Sequence, residues 1–331
     1  MKDWVSMKSK QPLRIKSSGG AAAQVLALMD AIYVSQRTGR KFVFDYYPFG
    51  TGTHWPLEIG TLLKKDEFGD IARLSRGHSN ETAGLPVGQI IETHPINAKT
   101  FNIEKLYLQV RKLKLDRIAL ALRREIPIYS SMKRLNKVNR FTCAISGGFL
   151  PVIEKNVFDE LHQRFVFAGL KSPFKLDDQT NPEFAIVIHY RLGDKRGKFT
   201  SPGVVGADGI MDPKIIFEIL SNLNLLDSKV LVLSDEPILA QQLLEEVGIS
   251  ANVLMRKRSI WEDLHSMAGA KLFIGTWSQV SQLASVCVIN NGGQAYLPRN
   301  GPGGDDPLSH VKGLKSYPAR FLNSDHSIYY R

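Results

Sequence analysis

The apolar run from Phe184 to Ile188 delivers His189, Arg191 and Asp194 into a turn that contains Gly193. Side chains alternate along a strand, so His189 and Arg191 are expected on one face, and Gly193 lets the backbone turn sharply enough for Asp194 to fold back towards them. An arginine at such a place is suited to gripping a diphosphate. The plainer reading of the same residues is a charged, solvated strand end.

Two further strand ends share this polar character: Ser234-Asp235-Glu236 after one apolar run and Gly275-Thr276-Trp277-Ser278-Gln279 after another. Three such endings in one sheet suit a nucleotide crevice. Thr276 and Ser278 are placed to cap the following helix, whose amino terminus would offer unpaired N–H groups to phosphate; taken singly, each is equally a structural cap. Asp263 falls at a helix start, where dipole stabilisation is the ordinary role and recognition of a base edge the sharper one. Gly19-Gly20 ahead of a helix resembles a phosphate cradle, without the full dinucleotide fingerprint or the Lys-Ser/Thr of a P-loop. The sequence holds no Asp-x-Asp pair and no His, Cys or carboxylate cluster at metal-ligand spacing, so neither a metal ion nor another cofactor is expected. Arginine and helix-end N–H groups would then have to stabilise a departing diphosphate. Neither a Gly-x-Ser-x-Gly elbow nor a kinase motif set occurs.

The elements that must position these residues alternate in type. Leu13 to Ser18 reads as a short strand, Ala21 to Arg37 as a helix with Val25, Leu28, Met29, Ile32 and Tyr33 at helical spacing, and Lys41 to Asp45 as the next strand, with Gly39 stopping the helix. Residues 46–100 are rich in Gly, Pro, Thr and His and read as long loops with short elements. A basic helix over 103–124 and a helix near 156–168 follow. The polar, proline-containing stretch from Lys171 to Pro182 reads as a linker, giving domains 1–175 and 176–331. Beyond it, strand 184–189 leads through helix 212–224, strand 229–234, helix 237–247, strand 251–255, helix 261–269 and strand 271–275 to helix 278–287. This alternation predicts an α/β doubly wound parallel sheet with ligands at the carboxyl ends of its strands.

The bulk numbers fit that reading. A chain of 331 residues, 43% hydrophobic and 23% charged, is an ordinary globular protein with room for two cores. Its longest apolar stretches fall short of the roughly 18 residues that span a bilayer, and the basic start lacks the apolar core of a secretion signal. A cytoplasmic location follows as the expectation, with Cys143 and Cys287 as buried thiols of a reducing compartment. The net charge of +11 is concentrated in residues 101–140, where eleven Lys or Arg face three acids. Such a window attracts anions: nucleic acid, anionic lipid or phosphorylated small molecules, unless it is only a solvated helical face. Only Phe101, Tyr107 and Tyr129 are aromatic there, too few for a base-stacking platform, so no nucleic acid is expected.

The pattern His189-x-Arg191-x-x-Asp194-Lys195 resembles the His-x-Arg-Arg-x-Asp region of the α-1,6, α-1,2 and protein O-fucosyltransferase superfamily. Further blocks keep the order of its α-1,6 branch. Gly19-Gly20-Ala21-Ala22-Ala23-Gln24, with Ser35-Gln36-Arg37-Thr38 ending the next helix, resembles that branch's Gly-rich segment and its Gln-Arg-Thr. Val230 to Pro237 resembles a strand ending in Thr/Ser-Asp-Asp-Pro, Asp263-Leu264-His265 an Asp-Ile-His segment, and Gly275 to Val280 a Thr-Phe-Ser-Ser-Gln-Val segment. Residues 46–175 show no visible match.

The resemblance implies two Rossmann-like domains facing a cleft, a GT-B-like glycosyltransferase. It implies inverting, metal-independent transfer from a GDP-sugar, GDP-fucose above all, to a hydroxyl of a glycan acceptor. Arg191 would hold the diphosphate, His189 and Asp263 would recognise guanine, and Ser278 and Gln279 would contact phosphate, with Thr276 and Asp235 beside them. Gly19, Gly20 and Gln24 would line the donor site from the other domain, and Tyr46 or Tyr47 would pack on the nucleotide. A lipid-linked acceptor would place the basic window peripherally against the inner, anionic face of a membrane.

Two departures from the family pattern stand out. Leu192 occupies the place of the second arginine, and residues 195–206 contain no acid where the branch has a carboxylate. The base that accepts the acceptor's proton is then sought among Asp45, Asp194, Asp208 and Asp212, with Asp194 equally an orienter of Arg191. Alternatives to fucosyl transfer are a transferase of the same fold with another nucleotide sugar, a non-catalytic sugar-nucleotide-binding relative, and a basic nucleic-acid-binding protein.

Overall fold

A computed structural model of the chain describes residues 13–17, 21–40, 42–46, 72–74, 144–146, 153–164, 171–176, 184–195, 209–255, 258–299 and 311–322; for 13–17, 43–46, 72–74, 144–146, 194 and 299 the description is of the backbone. The chain divides into two compact units, Met1–Val152 with Gln163–Val166, and Ile153–His162 with Phe167–Arg331.

In the first unit, β1 (Leu13–Ser17), α1 (Ala21–Thr38) and β2 (Phe42–Tyr46) follow the expected strand, helix, strand course, and β3 (Ala72–Leu74) and β4 (Ala144–Ser146) complete a parallel sheet ordered β3-β2-β1-β4. Alanine-rich and free of any β-branched run, α1 suits a helix. It ends where Gly39 takes a φ of +67° and its N–H reaches Ser35 O at 2.8 Å, the left-handed cap a glycine adopts at least cost. The spacing of its apolar residues predicts one buried stripe. Instead every residue from Ala21 to Ile32 is buried, Gln24 and Asp30 included, so α1 is a core helix.

The second unit holds α2 (Lys155–Arg164, most of it) and a six-stranded parallel sheet: β5 (Ile186–Tyr190), β6 (Val230–Ser234), β7 (Asn252–Val253), β8 (Leu272–Gly275), β9 (Gln294–Arg299) and β10 (Leu314–Pro318). The spatial order β10-β9-β8-β5-β6-β7, numbered by appearance from the β7 edge, is 3-2-1-4-5-6. That is the doubly wound order of dinucleotide-binding sheets, and it reverses between β5 and β8, the switch point beyond whose carboxyl ends such sheets bind their ligands. The α/β expectation holds. β9 and β10 extend the sheet past the last strand read from the sequence. β9 contains a proline, and its pairing with β8 stops at Tyr296, so Pro298 costs no hydrogen bond on that side.

Helices cover both faces. Ile186, Ile188 and Tyr190 of β5 pack with Val230 and Val232 of β6 against Ile215, Ile216, Ile219 and Leu220 of α3 (Lys214–Asn222) and Ala240, Leu243 and Leu244 of α4 (Pro237–Glu246). Each such side chain, fully buried, stabilises the fold by roughly 1.5–3 kcal/mol relative to exposure. The opposite face meets α5 (Ile260–Ala268) and α6 (Gln279–Asn290), which leaves Val187 and His189 turned towards that layer. α5 starts on a reciprocal capping box: Ser259 Oγ accepts from the Glu262 N–H, and the Glu262 carboxylate accepts from the Ser259 N–H. The stretch that reads as a linker begins with a packed segment. Ser172, Pro173 and Phe174 are buried, Asn290 Nδ2 donates to Phe174 O at 3.2 Å, and His265 Nδ1 lies 3.1 Å from Ser172 O.

Gly19, Gly20, Tyr47, Cys143, Asp208, the helix expected over 103–124 and the whole basic window 101–140 lie outside the described residues. Cys287 is a buried thiol, as expected, and burial pushes its pKa up. Among the described residues no helix is long and apolar enough to cross a membrane.

Candidate functional site

β5 ends at Tyr190, and the chain then enters a tight 3-10 turn, Gly193–Lys195, closed by Lys195 N–H to Leu192 O at 2.9 Å. Strand alternation therefore stops before Arg191, and the two residues expected on one face are tied to different neighbours. His189 is held by α6, on the β8 side, and Arg191 by the end of β6. Leu192, standing where the resembled pattern has a second arginine, is fully buried in the core with Ile186, Ile188 and Tyr190. A cation there would have to be buried among aliphatic side chains, at a cost of several kcal/mol.

Asp235, at the end of β6, organises the turn. Its Oδ1 accepts from Leu192 N–H at 2.8 Å, its Oδ2 from Gly193 N–H at 3.0 Å, and Oδ2 lies 3.1 Å from Arg191 Nη1. Gly193 leaves room for this carboxylate: a Cβ there would stand 2.7 Å from Asp235 Oδ2 and push it from its place. Ser234 Oγ donates to Tyr190 O at 2.6 Å and accepts from Glu236 N–H at 3.1 Å, which binds the two strand ends together.

On the other side, Thr276 Oγ1 donates to His189 O and accepts from Arg191 N–H, at 3.0 and 2.9 Å, while Thr276 N–H also reaches His189 O at 3.0 Å. Thr276 is thus a clasp between β8 and the exit of β5. The helix cap expected of it belongs to Ser278 alone, whose Oγ accepts from Ser281 N–H at 3.0 Å. The first-turn N–H groups of Gln279 and Val280 precede the intrahelical ladder, so the amino end of α6 presents donors and positive potential at the switch point.

His189 is buried, and its Nδ1 lies 2.7 Å from the Oγ of Ser281, a residue with no exposure. Burial lowers its pKa from 6.5 to about 4, the nearby Arg191 guanidinium adding to the shift and the Asp235 carboxylate opposing it. His189 is neutral at physiological pH.

No family model matches the chain, and no curated protein matches it. Solved structures similar to it include the alpha-1,6-fucosyltransferase NodZ soaked with GDP-fucose, at 13% identity and a TM-score of 0.43, covering 84% of this chain and 92% of that one. They also include POFUT1 in complex with GDP, at 13% identity and TM-score 0.34 over 84% and 95% of the two chains. A third is the E. coli ADP-heptose LPS heptosyltransferase II, at 11% identity and TM-score 0.36 over 93% and 90%.

Asp263 sits in the first turn of α5, with its Oδ1 3.5 Å from Arg258 Nε. Arg258 spends its Nη2 on Glu262 O and Ser266 Oγ, at 2.8 and 2.9 Å, so it is locked to the helix while it faces the carboxylate. Burial raises the Asp263 pKa, against the opposing pull of Arg258.

Asp212 accepts from Lys214 N–H through Oδ1 and from Arg320 Nε through Oδ2, both at 2.9 Å, and Arg320 Nη2 continues to Glu218. Those bonds give it the work of an Asx turn at the start of α3. Asp45 lies at the carboxyl end of β2, opposite Lys16, and Asp194 in the middle of the 3-10 turn. Gln24 is buried in the first turns of α1, immediately beyond the Gly19-Gly20 pair and within the first unit. Among the described residues no three His, Cys, Asp or Glu side chains gather as a metal site would require.

Sequence reasoning missed Ser281, Arg258 and Tyr317. Tyr317 donates to Gly275 O at 2.7 Å from β10, two strands out from β8, a contact with no local signal. Ser281 carries a faint one: it lies three residues after the N-cap, where a small polar side chain stays next to the cap.

Proposed function

We propose that the second unit binds the diphosphate of a GDP-sugar beyond β5 and β8, and that the chain is a glycosyltransferase moving fucose to a hydroxyl of a glycan acceptor. The observation that carries this reading is Arg191 at the reversal point of a 3-2-1-4-5-6 sheet, its guanidinium held by Asp235 and its main-chain N–H donating to Thr276, just ahead of α6. Fixed donors where negative charge develops are what departure of a diphosphate needs. The acceptor oxygen attacks the anomeric carbon as the bond to the diphosphate breaks; the electron pair leaves with GDP, the configuration inverts, and a carboxylate among Asp45, Asp194 and Asp208 takes the acceptor's proton. The guanidinium supplies the positive charge that a metal ion supplies elsewhere, which makes the transfer metal-independent. His189 and Asp263 would face the base, and Ser278 and Gln279 would complete the donor site of the second unit. A lipid-linked acceptor at the cytoplasmic face of an anionic membrane would be met by the basic 101–140 window.

Thermal denaturation with GDP, ADP, UDP and their sugars, with and without EDTA, tests this. Stabilisation by GDP compounds alone, unchanged by EDTA, is the expected result, and about 2.7 kcal/mol is expected at a hundredfold excess over Kd. Equal response to every nucleotide, or none, would end the GDP-sugar reading. Transfer of labelled fucose, and co-sedimentation with anionic vesicles, test the remainder.

A further inference from the structure

Ser281 is a position that the donor-site reading leaves without a role, although it is fully buried and touches the one buried histidine at the strand end. Among the described residues its hydroxyl has two polar neighbours: His189 Nδ1 at 2.7 Å and Ser278 Oγ at 3.4 Å. A buried hydroxyl proton needs an acceptor, and water does not reach this one. Ser278 Oγ is a poor choice, since 3.4 Å is long for an O–H···O bond and that oxygen already accepts from Ser281 N–H at 3.0 Å. Were Nδ1 the protonated nitrogen, it would donate to Ser281 Oγ and leave the serine proton with only that long contact. With Nδ1 unprotonated, the serine proton enters a 2.7 Å bond and Nε2–H is left to face a ligand.

The seat of Ser281 is built for this contact. A Cβ on Gly275 would stand 2.6 Å from Ser281 Cβ, so the bare backbone at the end of β8 is what lets α6 approach closely enough to reach His189. We propose that Ser281 is a positioning residue: its hydroxyl donates to His189 Nδ1, fixes the Nε2–H tautomer, and makes His189 an obligate donor towards whatever nucleotide it meets. The ligand atom at Nε2 is then an acceptor, a purine carbonyl oxygen or ring nitrogen or a phosphate oxygen, and an amino group is rejected there. This second part rests on the proposed GDP-sugar site; the tautomer does not.

The test uses the full-length protein without ligand. Long-range 15N–1H correlation of the His189 ring at pH 7 should show Nε2 protonated and Nδ1 bare, and Ser281→Ala should change that pattern towards a mixture of tautomers. A protonated Nδ1 in the parent protein, or a pattern unmoved by the substitution, overturns the proposal whether or not GDP binds. In a GDP titration, Ser281→Ala should weaken binding by about fivefold, the worth of one hydrogen bond. His189→Gln, which keeps an N–H close to Nε2, should bind better than His189→Asn. Equal GDP affinity of parent and Ser281→Ala, with the tautomer altered, overturns the ligand assignment. Absence of GDP binding by a parent protein that shows the expected ring pattern overturns the donor-site reading and leaves the tautomer standing.

Discussion

The Asp235 carboxylate accepts from Gly193 N–H while its Oδ2 stands 3.1 Å from Arg191 Nη1. One side chain at the end of β6 therefore shapes the turn after β5 and aims the guanidinium. Asp235→Asn keeps the size but sets an amide against one of two N–H donors and removes the ion pair. A loss of about 1–3 kcal/mol in urea unfolding is expected. Sugar transfer should fall by more than the unfolded fraction explains, because the cation is no longer aimed. Unaltered turnover would remove Asp235 from the site.

Arg191→Ala should leave the melting temperature nearly unchanged, as its side chain is more than a third exposed. Transfer should drop by about a hundredfold or more, the usual cost of removing a preorganised donor to a leaving group. Arg191→Lys restores the charge without the planar fork, so partial recovery is expected. Steady-state kinetics of the three proteins decides the point.

Gly275→Ala forces a Cβ against Ser281, Leu297 and Phe273, at 2.6, 2.8 and 2.9 Å. Overpacking of this kind costs about 1–3 kcal/mol. The strain falls on α6, so nucleotide affinity should fall along with stability. Calorimetric unfolding and a GDP titration on the same variant would show whether the two losses travel together.

His189 titrates near 4 when folded against 6.5 unfolded. Between those values the unfolded chain binds more protons at this residue, so the His189 contribution lowers stability as pH drops from about 6.5 to 4 and is constant above. That difference corresponds to about 3 kcal/mol at full extent. His189→Asn should flatten that part of the pH–stability curve; an unchanged slope would show that other groups set it.

Asp212→Ala removes both the Asx turn before α3 and the pairing with Arg320. About 1 kcal/mol of stability should go with the turn bond, since the exposed ion pair adds little. Single-turnover rates at saturating donor should stay close to those of the parent. A loss of several orders of magnitude would instead make Asp212 the base.

Much of the second unit was legible in the sequence because its signals are local. Apolar runs at 186–190, 230–234 and 272–275, helical spacing between them, and polar residues at each strand end follow from neighbours two to four positions apart. The glycine stop at Gly39 and the Ser278 cap are of the same kind. α1 was legible as a helix but not as one buried on every side, since the atoms that cover it come from elsewhere in the chain.

The sequence by itself determined the elements, their alternation and the set of polar residues at the strand ends. Tertiary structure decided the 3-2-1-4-5-6 order, the addition of β9 and β10, and the partners: Asp235 for the turn 42 and 43 residues before it, Ser281 for a histidine 92 residues away. It also turned Thr276 from a cap into a clasp and placed Leu192 in the core. Strand alternation predicts which way a side chain points only while the strand lasts. Once β5 ends at Tyr190, the direction of Arg191 is set by the hydrogen bonds of its turn, and those come from strands that only packing brings alongside.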